Sequence, residues 1–454
     1  MQDEPTAARI DDPGIRALFS ETARLQSWLD VEVALAQAQA ELGVIPAEAA
    51  DEITRKAHLA NLDLAAIRAG QARTGHGLVP LVWELDRVCA GDAGGYIHWG
   101  ATTQNITQTA LLLQIRRAHA IFLQQLAAIL EAAADLAERT KAMLLPGRTH
   151  GQPAVPATFG FKVAVWIDEL CRHVERLRDC EGRVFVAMLG GGAGTLASLG
   201  ELGLPTQAKL AARLGMAPMS MPARSIGDHL AEYVMLLGLL AATSSKIGRE
   251  IYTLMQQEFG EVEEPVPPGT VGSSTMPQKR NPKLAQDIVA GAAQIRMLVP
   301  LALEAMQTEH EADRTTSIMM NRALTEACTL TGDILQRLHV VLAELQVFPA
   351  RMRQNLDLSG GLIMAEALML ELGKQIGRQR AHDAVYEAAQ ATATGGGSFQ
   401  ARLVNDPHIN AHFTPAEIAA LLDPARHTGL CEHFAVREAD HARTVAASIH
   451  ENYR

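Results

Sequence analysis

Serine, lysine and arginine side chains are crowded into one short segment of the chain, residues 269–283. The segment reads Gly-Thr-Val-Gly-Ser-Ser-Thr-Met-Pro-Gln-Lys-Arg-Asn-Pro-Lys. Its two glycines permit backbone angles that are closed to other residues, so the segment can bend sharply or approach a ligand closely. Ser273 and Ser274 place hydroxyls beside positive charge, which suits removal of a proton next to a carboxylate and stabilisation of the resulting dianion. By composition alone, a solvated and flexible basic loop is an equally good interpretation.

Three histidines stand beside glycines at breaks between the helices that the sequence predicts. His76 lies in Thr-Gly-His-Gly, His98 in His-Trp-Gly-Ala-Thr-Thr, and His150 in Arg-Thr-His-Gly-Gln-Pro. Taken singly, each is better explained as a structural or surface side chain. Together with the serine segment they indicate a site, because functional groups often project from loops on a rigid scaffold. Histidine can give up a proton near neutral pH, which a leaving amine requires.

Metal binding is the rival use of three histidines. None of them has a second ligand at the short helical spacing of metal-binding motifs, and His310 stands alone between two glutamates. We therefore expect no metal and no other cofactor.

The overall composition is that of a soluble globular protein. Its 454 residues are 48% hydrophobic and 20% charged, and this length indicates two or three domains. A net charge of −11 argues against a nucleic-acid binder, which would carry a basic face. Residues 1–13 are acidic and polar, and the most lipid-like run, 233–242, is short, so we expect neither a signal peptide nor a membrane span. Five scattered cysteines suit a reducing cytoplasm.

The sequence predicts helices almost throughout. Aromatic residues make up 4% of the chain, whereas alanine, leucine, glutamine and glutamate, which favour helices, are abundant. Trp28, Leu35 and Leu42 recur at heptad spacing and predict one amphipathic helix, which Gly43 ends. Residues 102–145 contain no glycine or proline. A helix there would be roughly 60 Å long at about 1.5 Å per residue.

Two further helical stretches, residues 284–311 and 317–345, flank a polar break at 313–316. Helices of this length indicate an elongated bundle. Because alanine-rich helices bury little surface each, we expect an oligomer whose bundles come from several subunits.

We expect three domains in this all-α chain, with a glycine hinge at residues 395–397. They are an N-terminal helical domain over 1–100, a central long-helix bundle over 101–359 that includes the signature loop at 260–283, and a C-terminal helical domain over 360–454.

The serine segment carries a family resemblance. Residues 272–282, Gly-Ser-Ser-Thr-Met-Pro-Gln-Lys-Arg-Asn-Pro, resemble the G-S-S-x-M-P-x-K-x-N signature of the fumarase/aspartase superfamily, which includes class II fumarases and adenylosuccinate and argininosuccinate lyases. Residues 98–109 and 147–162 resemble two further family blocks. Segments 352–357 and 421–425 look closest to the bacterial 3-carboxy-cis,cis-muconate cycloisomerase branch. The resemblance implies an all-helical, three-domain homotetramer with a central twenty-helix core and active sites where three subunits meet.

The resemblance also implies roles for individual residues. Ser273 matches the catalytic base that takes the proton from Cβ beside a carboxylate, and His150 matches the histidine linked to protonation of the leaving group. Pre-placed donors would lower the energy of the developing aci-carboxylate by several kcal/mol. The implied substrate-binding residues are His76, His98, Thr102, Thr103, Gln152, Ser274, Lys279 and Asn281.

Two positions depart from the family pattern. A glutamate usually lies thirteen residues after the signature serine, where it orients the acidic histidine, but this chain has Gln286 there. Asn105 stands where an aspartate is usual. Bacterial muconate cycloisomerases also lack the glutamate, but they usually replace the histidine as well, whereas this chain retains both His150 and His76.

Three enzymatic readings therefore compete, each with a small dicarboxylate or tricarboxylate as substrate. Retention of the histidines favours a lyase that eliminates an amine from an N-substituted aspartate or related dicarboxylate to give fumarate. Gln286 and the C-terminal similarity favour 3-carboxy-cis,cis-muconate cycloisomerase. Adenylosuccinate lyase ranks last, because residues 317–322 read Ser-Ile-Met-Met-Asn-Arg, and methionines cannot replace phosphate-binding groups. A non-enzymatic scaffold would explain the long helices but not the joint retention of the serine segment and three histidines.

Overall fold

The computed structural model describes residues 5–267, 269, 271–395 and 397–453, and it is all-α, as the sequence predicts. The described chain contains the following α-helices: α1 Ile15–Leu18, α2 Glu21–Glu41, α3 Ala47–Lys56, α4 Leu64–Thr74, α5 Val79–Val88, α6 Thr103–Arg139, α7 Phe159–Val184, α8 Gly203–Arg213, α9 Asp228–Leu254, α10 Lys283–Glu304, α11 Arg314–Glu344, α12 Pro349–Asp357, α13 Ala365–Ile376, α14 Arg378–Gly395, α15 Phe399–Asn405, α16 Pro407–Asn410, α17 Pro415–Leu421 and α18 Cys431–Asn452.

The strands of the described chain are short and occur in pairs. They are β1 Leu144–Thr149 with β2 Gln152–Thr158, β3 Val186–Ala187 with β4 Ala217–Pro218, and β5 Val262–Glu263 with β6 Gln346–Val347. The β1–β2 pair is an antiparallel hairpin with an irregularity at Gly147. A Cβ on Gly147 would lie 2.8 Å from the carbonyl oxygen of Val155, so glycine allows the two strands to approach there.

Long helices form the centre of the molecule, as expected from their sequence. Helix α6 spans 37 residues and packs against α7, α11 and α18, and α9 packs against α10 and α11. The run predicted over 102–145 ends as helix at Arg139, because the hairpin begins five residues later. The break between the two later helices begins earlier and is longer than predicted: α10 ends at Glu304 instead of near residue 311. Helix α11 begins at Arg314, because the Asp313 side chain accepts the Thr315 N–H at 2.8 Å.

Two hydrophobic cores account for most of the buried apolar side chains. The larger core takes residues from α1 to α12 and also from α18. A separate small core lies among α13 to α17. The domain boundaries near residues 100 and 359 remain predictions. Helix α18 packs on the larger core, although it follows the helices of the smaller core in the sequence. Gly396, in the expected hinge, lies outside the described residues.

Two helices, α6 and α9, would also qualify as membrane spans by length and composition alone. However, 61% of the apolar window in each is buried inside the fold, as in an ordinary core helix. All five cysteines are free thiols, and burial raises the pKa of Cys171 and Cys180 to about 12. Those two thiols therefore stay protonated and pack as small apolar side chains.

Candidate active site

The N-terminus of α6 brings together two of the residues predicted from sequence. Thr102 is the N-cap of this helix and Thr103 its first residue. The Nδ1 atom of His76 accepts the Val79 N–H at 3.1 Å, which assigns the proton of the neutral ring to Nε2. The Nε2–H can then donate to Thr103 Oγ1, at 3.4 Å. Unpaired N–H groups and the helix dipole make such a terminus a suitable place for a carboxylate.

Asn105 shapes this terminus in place of the usual aspartate. Its Oδ1 accepts the backbone N–H of Thr102 at 3.1 Å and that of Gly191 at 3.0 Å. The side chain is 1% exposed, and within the described part of the chain its Nδ2 has no hydrogen-bond partner. One neutral amide oxygen therefore supplies the two contacts that hold the loop at 191 against the start of α6.

His98 is held by a carboxylate that no sequence motif indicates. Its Nδ1 lies 2.6 Å from Oε1 of Glu32, which is 2% exposed, and its backbone is in the left-handed region with φ of 64°. Burial alone would lower the pKa of His98, but the hydrogen bond to Glu32 and the charge of Glu32 raise it above its ordinary value. The sequence did hold a sign of this pair, since Glu32 stands among the apolar residues of α2. Buried carboxylates are rare unless they are paired, so a partner for Glu32 could have been expected.

Replacing Glu32 with glutamine should lower the pKa of His98, because the anionic partner is removed while burial remains. Since the pKa of His98 is raised on folding, the pair stabilises the fold fully below about pH 6.5, and this contribution is lost as the pH rises through the folded value. NMR titration of the His98 ring would measure the shift. An unchanged pKa in the glutamine variant would show that Glu32 does not control it.

Residues 271–283 of the signature loop are folded tightly on one another, whereas Pro268 and Thr270 of this loop lie outside the described residues. Asn281 Nδ2 donates to the Gly272 carbonyl at 2.9 Å, and Lys283 Nζ donates to the Val271 carbonyl at 2.9 Å. A Cβ on Gly272 would lie 2.0 Å from the carbonyl oxygen of Lys279, so no other residue fits there without moving the backbone. Local packing therefore accounts for two residues of the signature, Gly272 and Asn281.

Ser273 lies at the centre of this turn. Its Oγ accepts the Met276 N–H at 3.1 Å, which leaves the hydroxyl proton free to point elsewhere. Ser274 and Lys279 are exposed, and their side chains form no hydrogen bond or ion pair with any residue in the described ranges. The loop thus presents a hydroxyl and an ammonium group outwards.

A second unforeseen carboxylate closes the base of the loop. Glu264 is 4% exposed and accepts the backbone N–H groups of Leu284 and Ala285, each at 3.0 Å. It therefore caps α10 and joins the two ends of the loop. Burial raises the pKa of the Glu264 carboxyl, although the backbone N–H donors oppose that rise.

The β1–β2 hairpin carries the third histidine. His150 and Gly151, with φ of 52° and 77°, form its two-residue turn. Arg148 fixes the hairpin through paired hydrogen bonds to the carboxylate of Glu261, one of them 3.1 Å long, and that side chain is fully buried. His150 and Gln152 are exposed, and the described residues supply no hydrogen-bond partner for either side chain.

The predicted residues thus fall into three groups within one chain. The α6 group contains His76, His98, Thr102 and Thr103; the loop group contains Ser273, Ser274, Lys279 and Asn281; the hairpin group contains His150 and Gln152. Across the described ranges, no side-chain hydrogen bond or ion pair joins one group to another. Gln286 is exposed in the first turn of α10. No cluster of three His, Cys, Asp or Glu side chains in the described ranges could hold a metal ion; the expected absence of a metal stays a prediction.

Comparison with known proteins places the chain among lyases. A family model described as Lyase matches residues 8–297, and one described as Adenylosuccinate lyase C-terminus matches residues 361–437. The chain is 39% identical to N-acetyl-S-(2-succino)cysteine lyase of Dickeya dadantii, over 92% of each chain. It is 40% identical to 3-carboxy-cis,cis-muconate cycloisomerase of Pseudomonas aeruginosa, over 91% of each.

The fold agrees with these relatives. The crystal structure of 3-carboxy-cis,cis-muconate lactonizing enzyme from Pseudomonas putida matches with a TM-score of 0.89 and 33% identity. The match covers 98% of this chain and 100% of that one. The resemblance carried by residues 272–282 is therefore confirmed across almost the whole sequence. The chain belongs to the fumarase/aspartase superfamily and is an enzyme of that superfamily.

Proposed function

We propose that the protein is a lyase that eliminates an amine or a thiol from a 2-substituted succinate to give fumarate. The observation that carries the proposal is the signature loop, which Glu264 closes at its base and which carries the Ser273 hydroxyl and the exposed Lys279 ammonium group. Retention of His76 against Thr103 supports it, because that pair stands where a substrate carboxylate would meet a helix N-terminus.

The reaction follows from the roles of these groups. Ser273, acting as its alkoxide, takes a proton from Cβ of the succinyl group and becomes a neutral hydroxyl, while the electron pair of the broken C–H bond moves into the adjacent carboxylate to form an aci-carboxylate. Lys279 stabilises the growing negative charge. As the pair returns, the bond from Cα to the leaving atom breaks and the double bond of fumarate forms. His150 donates a proton to the leaving group.

The surroundings of His150, the proposed proton donor, favour a thiol over an amine as the leaving group. An amine must be protonated as it departs, whereas a thiol has a pKa of about 8.5 and can depart as a thiolate. Gln286 is neutral where the family glutamate would stabilise a protonated histidine, and no described carboxylate contacts His150. The Dickeya relative, by its name, acts on a thioether of succinate.

We propose that copies of the chain complete the site as a homotetramer, since the three groups of predicted residues are not joined within one chain. Large apolar side chains are exposed along the long central helices, and such surfaces suit burial against further copies. They are Met235 and Leu239 on α9, Met297 and Leu303 on α10, and Ile318 on α11.

An assay panel tests the proposal. The protein would be incubated with N-substituted aspartates and with N-acetyl-S-(2-succino)cysteine while fumarate release is followed by ultraviolet absorbance. Fumarate release with the thioether faster than with any amine conjugate is the expected result. Absence of fumarate from every conjugate would overturn the proposal.

A second candidate is 3-carboxy-cis,cis-muconate cycloisomerase. The Pseudomonas aeruginosa relative and Gln286 favour it, because that branch also lacks the glutamate. Consumption of 3-carboxymuconate without fumarate release from any conjugate would establish this function instead. Both N-acetyl-S-(2-succino)cysteine and 3-carboxymuconate carry three carboxylates, one more than the succinyl or fumarate unit itself.

A further inference from the structure

A recess of about 450 Å³ opens beside His76. Its lining residues are Arg24, Trp28, Gln71, Gly75, His76, Gly77 and Asn321. Because His76 also contacts Thr103, the recess adjoins the proposed carboxylate position at the start of α6. Asn321 also lines a second, smaller cavity together with Gln104 and Arg224. Polar side chains therefore line both cavities near the N-terminus of α6.

Arg24 is the cation in this recess; its side chain is exposed and stacks on Trp28. Its guanidinium lies over the Trp28 ring, 5.6 Å from the ring centroid, and Trp28 is 8% exposed. Stacking of this kind orients the guanidinium plane while leaving its N–H donors free. Within the described chain, the guanidinium of Arg24 forms no hydrogen bond and no ion pair.

Glu21, three residues earlier, is the acidic neighbour of Arg24. It is bound by Arg68 at 2.6 Å, and the hydrogen bond from Arg68 together with the charges of Arg68 and Arg24 lowers the pKa of its carboxyl. Arg224, near the adjoining cavity, donates to the Gln104 side chain at 3.0 Å and to the Gly192 carbonyl at 2.7 Å. Glu21 is engaged by Arg68, and the N–H donors of Arg24 form no hydrogen bond within the described residues, so they can bind an anionic group from solution.

We propose that Arg24 binds the third acidic group of the substrate, the carboxylate that is not part of the succinyl unit. This inference rests on the proposed function. The succinyl carboxylates are assigned to the α6 terminus and to the signature loop, and a third carboxylate needs a cation beside them. Arg24 is a specificity-determining residue, which contacts the substrate away from the bonds that change.

The test compares two thioethers, N-acetyl-S-(2-succino)cysteine and the cysteamine analogue that lacks the cysteine carboxylate. Wild type should prefer the first by roughly 10- to 100-fold in kcat/KM, the range for a hydrogen bond to a charged group. Arg24→Met should bring this ratio close to one, and Arg24→Lys should retain part of it. Arg73→Met is the matched control, since Arg73 stacks on Trp83 at 5.9 Å but does not line the recess.

Equilibrium binding separates this inference from the proposed function. Calorimetry would measure the dissociation constants of both thioethers on two proteins, the Ser273→Ala variant and the Ser273→Ala/Arg24→Met double variant. Because both lack the proposed base, turnover does not affect the measurement. If wild type releases no fumarate but consumes 3-carboxymuconate, the same comparison applies to that compound and cis,cis-muconate. The inference is overturned if Arg24→Met keeps the wild-type preference, or if the protein binds both members of the pair equally.

Discussion

Replacing Ser273 with alanine should lower kcat by about 10²- to 10⁴-fold, the contribution that a positioned general base makes. The expected loss follows from the proposed role of Ser273 Oγ in removing the Cβ proton. Substrate affinity should change much less, because the substrate carboxylates are bound by other groups. Steady-state kinetics of fumarate release would measure kcat and KM separately.

The alanine variant also loses two contacts within the loop, the hydrogen bonds that Ser273 Oγ accepts from the Met276 N–H at 3.1 Å and the Thr275 N–H at 3.4 Å. Thermal unfolding and the oligomeric state must therefore be measured alongside activity. Thr275→Val is the matched control, because it removes a neighbouring exposed hydroxyl that forms no side-chain hydrogen bond within the described residues. Near-normal turnover by Ser273→Ala would remove Ser273 from the role of base.

Replacing Glu261 with alanine should reduce the free energy of unfolding by about 3–5 kcal/mol, the usual effect of breaking a buried ion pair. Glu261 is fully buried, binds Arg148, and also accepts from Asn355 Nδ2 at 2.7 Å. Its loss would leave the Arg148 guanidinium unpaired above the Phe259 ring. Because Arg148 holds the hairpin turn that carries His150, kcat should fall as well.

Urea-induced unfolding would measure the change in stability at fixed protein concentration. The control is Asp168→Ala, which breaks an exposed ion pair. In that pair the Arg172 side chain is 44% exposed and the Asp168 side chain is 50% exposed. That change should cost less than about 1 kcal/mol. An effect of Glu261→Ala no larger than that of Asp168→Ala would contradict the anchoring role.

Many features of this protein could be predicted from the sequence, because they depend on residues that lie close together along the chain. The heptad spacing of Trp28, Leu35 and Leu42 predicted α2, and the absence of glycine and proline after residue 102 predicted α6. The signature loop and the three histidines were also recognised locally. Such features depend on backbone preference and side-chain periodicity, which act over one or two helical turns.

The tertiary structure decided which distant groups meet. Glu32 and His98 are 66 positions apart, and Arg148 and Glu261 are 113 apart. The β1–β2 hairpin, the return of α18 to the larger core, and the placement of Arg24 beside His76 likewise had no local signal. Hydrogen bonds and charge pairing are specified by position in space, and packing of the long helices sets those positions. The sequence alone therefore located the reactive loop, whereas the folded chain supplied the carboxylates that hold it and its histidines in place.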